Sequence, residues 1–132
     1  VTGPWRVELG TLEESLISVD LAPGGYPERL GFEVVSPADA DLETRINEAR
    51  TAYERLGQET AQRFDVGVKM SSLQRFGMVD DLWDMALRDA RAAIGQGYGP
   101  TVERRSCCFI YALPGCHECT GCPRLREPSE PS

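Results

Sequence analysis

The sequence predicts a mainly α chain with minor β, in which a small helical domain is followed by an irregular C-terminal cysteine-rich segment suited to holding a metal or cluster. Three observations carry this. Apolar residues recur at helical spacing through the middle of the chain. A Gly/Pro-rich stretch, Gly95-Gln-Gly-Tyr-Gly-Pro100, ends that pattern. Beyond it, all five cysteines fall between Cys107 and Cys122, and none precedes them.

Near the N-terminus Trp5, Val7 and Leu9 alternate with Arg6 and Glu8, the two-residue period of a short strand. Thr11 followed by Glu14 has the spacing of a capping box and predicts a short helix over Leu12, Leu16 and Ile17. Pro23-Gly-Gly-Tyr-Pro27 breaks the chain. Leu30 to Val35 reads as a further strand, weakened by Gly31.

Three helices are expected next. Ser36 as N-cap, Pro37 at the first helical position and Asp39 and Asp41 in the first turn open one that carries Leu42, Ile46, Ala49, Tyr53 and Leu56 to a stop at Gly57. A second runs from Gln58 to Phe76, with Gly67 as a weak point. The third starts at Asp80-Asp81 and presents Leu82, Trp83, Ala86, Leu87, Ala90 and Ile94 to a core before Gly95 ends it, with Arg88 and Arg91 suited to its C-terminal end. Gly95 to Pro100 is a linker, because no Lys-Ser/Thr follows to make a phosphate loop. These readings divide the chain into a helical region with minor β over 1–100, a metal-binding segment over 101–126 packed on it, and a disordered tail over 127–132.

A net charge of −7 argues against nucleic acid, whose phosphates need a basic footprint. No apolar run reaches membrane-spanning length, and the first twenty residues lack the pattern of a secretory leader. An odd number of cysteines leaves one over from full disulfide pairing, so a reducing, cytoplasmic setting is expected. A lone histidine without a nucleophile motif gives no support to a hydrolytic triad, and no catalytic residue is assigned. Asp80, Asp81 and Asp84 are read as complementing a helix dipole rather than binding a hard metal, and Trp83 and Met85 as packing residues.

Thiolates at this density favour zinc or an iron–sulfur cluster, both of which take tetrahedral sulfur ligation. Cys119-x-x-Cys122 can aim two sulfurs at one metal. Cys107-Cys108 is less usual: neighbouring side chains diverge in extended backbone, so both ligate only if the chain bends. Structural zinc more often uses two spaced Cys-x-x-Cys pairs, and the doublet counts modestly against it.

Arg104-Arg-Ser-Cys107-Cys108, then Tyr111-Ala-Leu-Pro114-Gly115, then Cys119-Thr-Gly-Cys122 resembles the C-terminal motif of the FhuF-like ferric-siderophore reductases, over roughly Arg104 to Leu125. The resemblance implies one [2Fe–2S] cluster held by Cys107, Cys108, Cys119 and Cys122. It implies one-electron transfer to a ferric siderophore or other chelated ferric iron, with electrons from an unidentified donor. Cys116 forms an overlapping Cys-x-x-Cys with Cys119 and is either a bystander beside the cluster or a substitute ligand; four thiolates already complete such a site, which favours the bystander. His117 is expected at the surface or behind the ligands, because Rieske-type centres use two histidines. Arg104 and Arg105 are either solvated charges or cationic partners of the cluster that favour electron uptake and offer a docking point for oxygen-rich ligands. Three rivals stand: a ferredoxin-like module serving a protein partner, a zinc-bound structural or interaction module, and a thiol-redox protein.

Overall fold

The computed structural model describes residues 3, 5–65, 67, 69–112, 114–119 and 121–125. The fold is mainly α with minor β: among these residues two 22-residue helices dominate, with four short strands and an irregular C-terminal segment. The expected tail over 127–132 lies outside the described residues. The chain divides into two compact units, one through Thr60 and the other from Ala61.

In the first unit β1 (Trp5–Val7) pairs antiparallel with β4 (Val35–Pro37), and β2 (Ile17–Leu21) with β3 (Pro27–Phe32). The expected break at Pro23–Pro27 is the turn between β2 and β3, and the register shifts between Asp20 and Leu21 as the strands approach it. Glu8 N–H donates to the Val34 carbonyl at 3.1 Å, and Glu33 N–H to that of Leu16 at 3.0 Å. One hairpin is thus nested inside the other strand pair.

The helix expected after Thr11 does not form. Thr11 Oγ1 does accept from the Glu14 amide at 3.0 Å, but the Thr11 amide donates to the Glu14 carbonyl at 3.1 Å and closes a tight turn. Gly10 at φ +72° makes that turn possible, since a Cβ there would lie 2.2 Å from the Glu14 carbonyl oxygen. Ile17 then belongs to β2, where strand pairing outweighs the local capping signal.

Helix α1 (Leu42–Arg63) starts later than Ser36-Pro37 predicted, because Pro37 is taken up in β4 opposite Trp5. Asp41 is the side chain that caps it, accepting from the Thr44 amide at 3.1 Å and the Thr44 hydroxyl at 2.6 Å. Gly57 does not stop it. One glycine costs about 1 kcal/mol in a helix, too little to break a run flanked by Leu56, Gln58, Glu59 and Ala61. Arg55 ties this helix to the strand region by donating to the Gly10 carbonyl at 2.8 Å, and Arg6 pairs with Glu48.

The helix expected over Gln58 to Phe76 does not form as one element: residues 58–63 continue α1, and residues 72–76 open α2 (Ser72–Ala93), which runs on through the expected third helix in the second unit. Its start is a capping box: Ser71 Oγ accepts from the Gln74 amide at 3.2 Å while Gln74 Oε1 accepts from the Ser71 amide at 3.1 Å. Asp80 and Asp81 are therefore interior residues of α2, not its first turn. Gly95, at φ +82°, ends it as expected.

Candidate metal centre

Gly77, Asp81 and Asp84 recur at four and three residues along α2 and so share one face of it. That face carries the start of the cysteine segment. Asp81 is 1% exposed, and its carboxylate accepts from the Arg105 amide at 3.1 and 3.0 Å and the Ser106 amide at 2.7 Å. The Arg105 guanidinium stands 3.5 Å from Asp81 and 3.5 Å from Asp84. A buried carboxylate is tolerated only with such compensation, so the charge pins residues 105–106 in one register. Gly77 permits the approach, since a Cβ there would lie 2.0 Å from Ser106 Oγ and 3.3 Å from Ser106 Cβ. Asp81 is thus not the dipole-complementing first-turn residue expected of it. Trp83 is buried as expected, whereas Met85 is exposed.

Directly after this anchor the doublet divides its two thiols between two partners. Cys107 Sγ lies 3.8 Å from Cys122 Sγ, and Cys108 Sγ lies 3.9 Å from Cys119 Sγ. The divergence of neighbouring side chains, which counts against two adjacent ligands on one metal, suits adjacent ligands on two. The edge of a tetrahedron built from metal–thiolate bonds of about 2.3 Å is about 3.8 Å. Each pair therefore has the spacing of two sulfurs on one tetrahedral metal. Among the described residues no three His, Cys, Asp or Glu side chains gather about a single-ion site.

Local backbone explains both halves. Phe109 takes φ 58°, in the left-handed region that bulky residues seldom occupy, and turns the chain out of the doublet into the 3-10 turn Ile110–Ala112. Its carbonyl accepts from the Ala112 amide at 2.8 Å, and its ring stacks on Tyr111 with centroids 5.8 Å apart. On the other side the Cys122 amide donates to the Cys119 carbonyl at 3.0 Å, closing a turn with Gly121 at φ +76°. A second 3-10 turn, Pro123–Leu125, follows, and the Leu125 amide donates to the Cys122 carbonyl at 3.0 Å. Leu113 and Thr120, within the motif, lie outside the described residues.

The electrostatics distinguish the two pairs. Burial pushes the Cys107 thiol up; the Phe109 amide opposes this, and Cys122 and Cys108 reinforce it. At Cys108 burial acts in the same sense but is outweighed by the Ile110 amide, the Arg104 guanidinium and Cys119, so its thiol is lowered. Cys119 is raised by burial and by its neighbour Cys108, against the pull of Arg104.

The two arginines of the motif face different ways. Arg104 Nη1 lies 2.7 Å from Cys119 Sγ and 3.9 Å from Cys108 Sγ, while its Nη2 donates to the Ser106 carbonyl at 3.2 Å. Arg105 turns to the α2 carboxylates and is largely exposed. Cys116 is half-buried and belongs to neither of the two sulfur pairs, and His117 is exposed. Sequence reasoning missed Asp81, Gly77 and Phe109. The first two carried a signal, the i, i+4 spacing of a glycine and an acid on one helix face; Phe109 carried none.

Paired thiols on a fixed anchor, with a guanidinium directed at the sulfurs, suit soft-metal or iron–sulfur ligation. Comparison with known families agrees: residues 104–124 match the FhuF 2Fe-2S C-terminal domain, the family whose motif the same residues resemble. That domain implies a [2Fe–2S] cluster as the cofactor. No curated protein and no solved structure matches the chain. No described helix is long and apolar enough to cross a membrane.

Proposed function

We propose that this protein holds one [2Fe–2S] cluster on Cys107, Cys108, Cys119 and Cys122, and passes single electrons from it to ferric siderophore or other chelated ferric iron in the cytoplasm. Cys107 and Cys122 serve one iron, Cys108 and Cys119 the other. The observation that carries the reading is the two-by-two sulfur spacing of 3.8 and 3.9 Å. Residues 101–126 act as the cluster-binding segment.

When bound, the cluster supplies one electron at a time, because its charge spreads over metal and sulfur. The chain's own residues set the terms. Asp81 fixes Arg105 and Ser106, and through them the position of Cys107. The Phe109 and Ile110 amides and the Arg104 guanidinium stabilise negative charge on sulfur. Arg105, with 64% of its side chain exposed, offers a cation to anionic, oxygen-rich ferric complexes. One electron converts the bound ferric ion to ferrous, and no bond forms between protein and chelator. The larger, less charged ion is held less tightly by hard oxygen donors and leaves.

The test is reoxidation of the dithionite-reduced protein by a panel of ferric siderophores, with a ferrous-specific chelator as trap. Bleaching of the reduced signal with matching ferrous release supports the reductase reading. A reduced protein that every ferric complex leaves unoxidised, while a ferredoxin-accepting partner oxidises it, supports the rival electron-transfer module. Colourless, zinc-loaded protein purified without oxygen would support the zinc rival.

A further inference from the structure

The two sulfur pairs are chemically unequal, and the inequality has a direction. Arg104 approaches Cys119 Sγ at 2.7 Å and Cys108 Sγ at 3.9 Å, whereas among the described residues no cationic side chain donates to Cys107 or Cys122. The Arg104 guanidinium is steadied by the Ser106 carbonyl at 3.2 Å, a residue itself fixed by Asp81. Exposure runs the same way: Cys107 and Cys122 are 7% and 2% exposed, whereas Cys108 and Cys119 are only half-buried.

Adding an electron to a cluster adds negative charge, which settles where cations, hydrogen-bond donors and solvent stabilise it. The backbone amides fall one to each pair, at Cys107 and at Cys108, so the cation and the solvent decide, and both favour the Cys108/Cys119 side. We infer that Arg104 is a positioning residue that places the incoming electron on the iron held by Cys108 and Cys119, making this pair the side through which electrons enter and leave. One electron from an external low-potential reductant (dithionite in the assay) turns that ferric iron ferrous, and no bond forms or breaks. The inference rests on the [2Fe–2S] reading above and adds to it a valence assignment and a residue that sets it.

The experiment compares wild type, Arg104→Gln and Arg104→Lys, purified without oxygen. Iron and sulfide content, reduction potential and paramagnetic NMR of the reduced state are measured. Cysteine β-protons respond differently to temperature on ferrous and ferric iron, so NMR reports which pair holds the electron. Wild type should show the ferrous pattern on Cys108 and Cys119. Arg104→Gln, with iron and sulfide retained, should lose about tenfold in the reduction equilibrium constant, a shift of about 59 mV to lower potential. Arg104→Lys, which keeps the charge, should recover part of that loss.

An unchanged potential in a cluster-loaded Arg104→Gln protein would overturn the inference, as would a ferrous pattern on Cys107 and Cys122 in wild type. If Arg104→Gln cannot retain the cluster, the wild-type assignment decides by itself. Wild-type protein lacking iron and sulfide would instead overturn the cluster reading beneath, a failure that the metal analysis separates from the others.

Discussion

At the scale of single residues, the Cys107-Cys108 doublet is resolved by giving each sulfur its own partner. On the proposed ligand assignment the four paired thiols are not interchangeable with the fifth. Replacing Cys107, Cys108, Cys119 or Cys122 singly by serine should abolish or sharply reduce iron and sulfide content, while Cys116→Ser should leave both nearly unchanged. Loss on the Cys116 change with retention on one of the four would reverse the assignment. The motif residues were legible because spacing and residue type both pointed to soft ligation. The pairing between them was not, because it depends on Phe109 at φ 58°, a conformation that a phenylalanine does not announce. The separate orientations of Arg104 and Arg105 were hidden for a similar reason: adjacent identical side chains differ only in what the fold sets beside them.

At the scale of elements, α2 acts as the platform for the site, and Asp81 is its fixing point. Asp81→Asn would put an amide N–H where two backbone donors need an acceptor. It should cost about 2–4 kcal/mol in urea unfolding and lower cluster retention. Gly77→Ala should also loosen the segment, because its new methyl meets Ser106. Adding Ser106→Ala to the same chain should restore cluster content in part, since it removes the Oγ that lies 2.0 Å away. In α1, hydrogen bonds from Thr44 hold the Asp41 carboxyl below its usual range. A depressed folded-state pKa contributes stability above the unfolded value of about 3.9, lost as pH falls through the folded value. The stability difference between wild type and Asp41→Asn, which caps without titrating, should therefore shrink as urea unfolding is repeated below about pH 4. Helix content was legible from periodicity, but helix starts were not. Pro37 read as a first helical residue and serves a strand, Gly57 read as a stop and is spanned, and the Ser71–Gln74 box was masked by the acidic run at Asp80.

At the scale of the whole molecule, a net charge of −7 sets a repulsive long-range field for anionic ferric complexes; Arg104 and Arg105 lie at the site, the latter already paired with Asp81 and Asp84. Reoxidation by an anionic ferric complex should accordingly speed up as ionic strength rises from about 0.01 to about 0.15 M, where screening shortens from roughly 30 to 8 Å. A rate that falls instead would mean that the arginines dominate the approach. The central claim is that these four thiols form a two-iron centre, and its most direct test is anaerobic purification followed by a visible spectrum with iron, sulfide and zinc analysis. Sulfur-to-iron absorption bands with about two irons and two sulfides per chain are the predicted result. A featureless visible spectrum with one zinc per chain would contradict it.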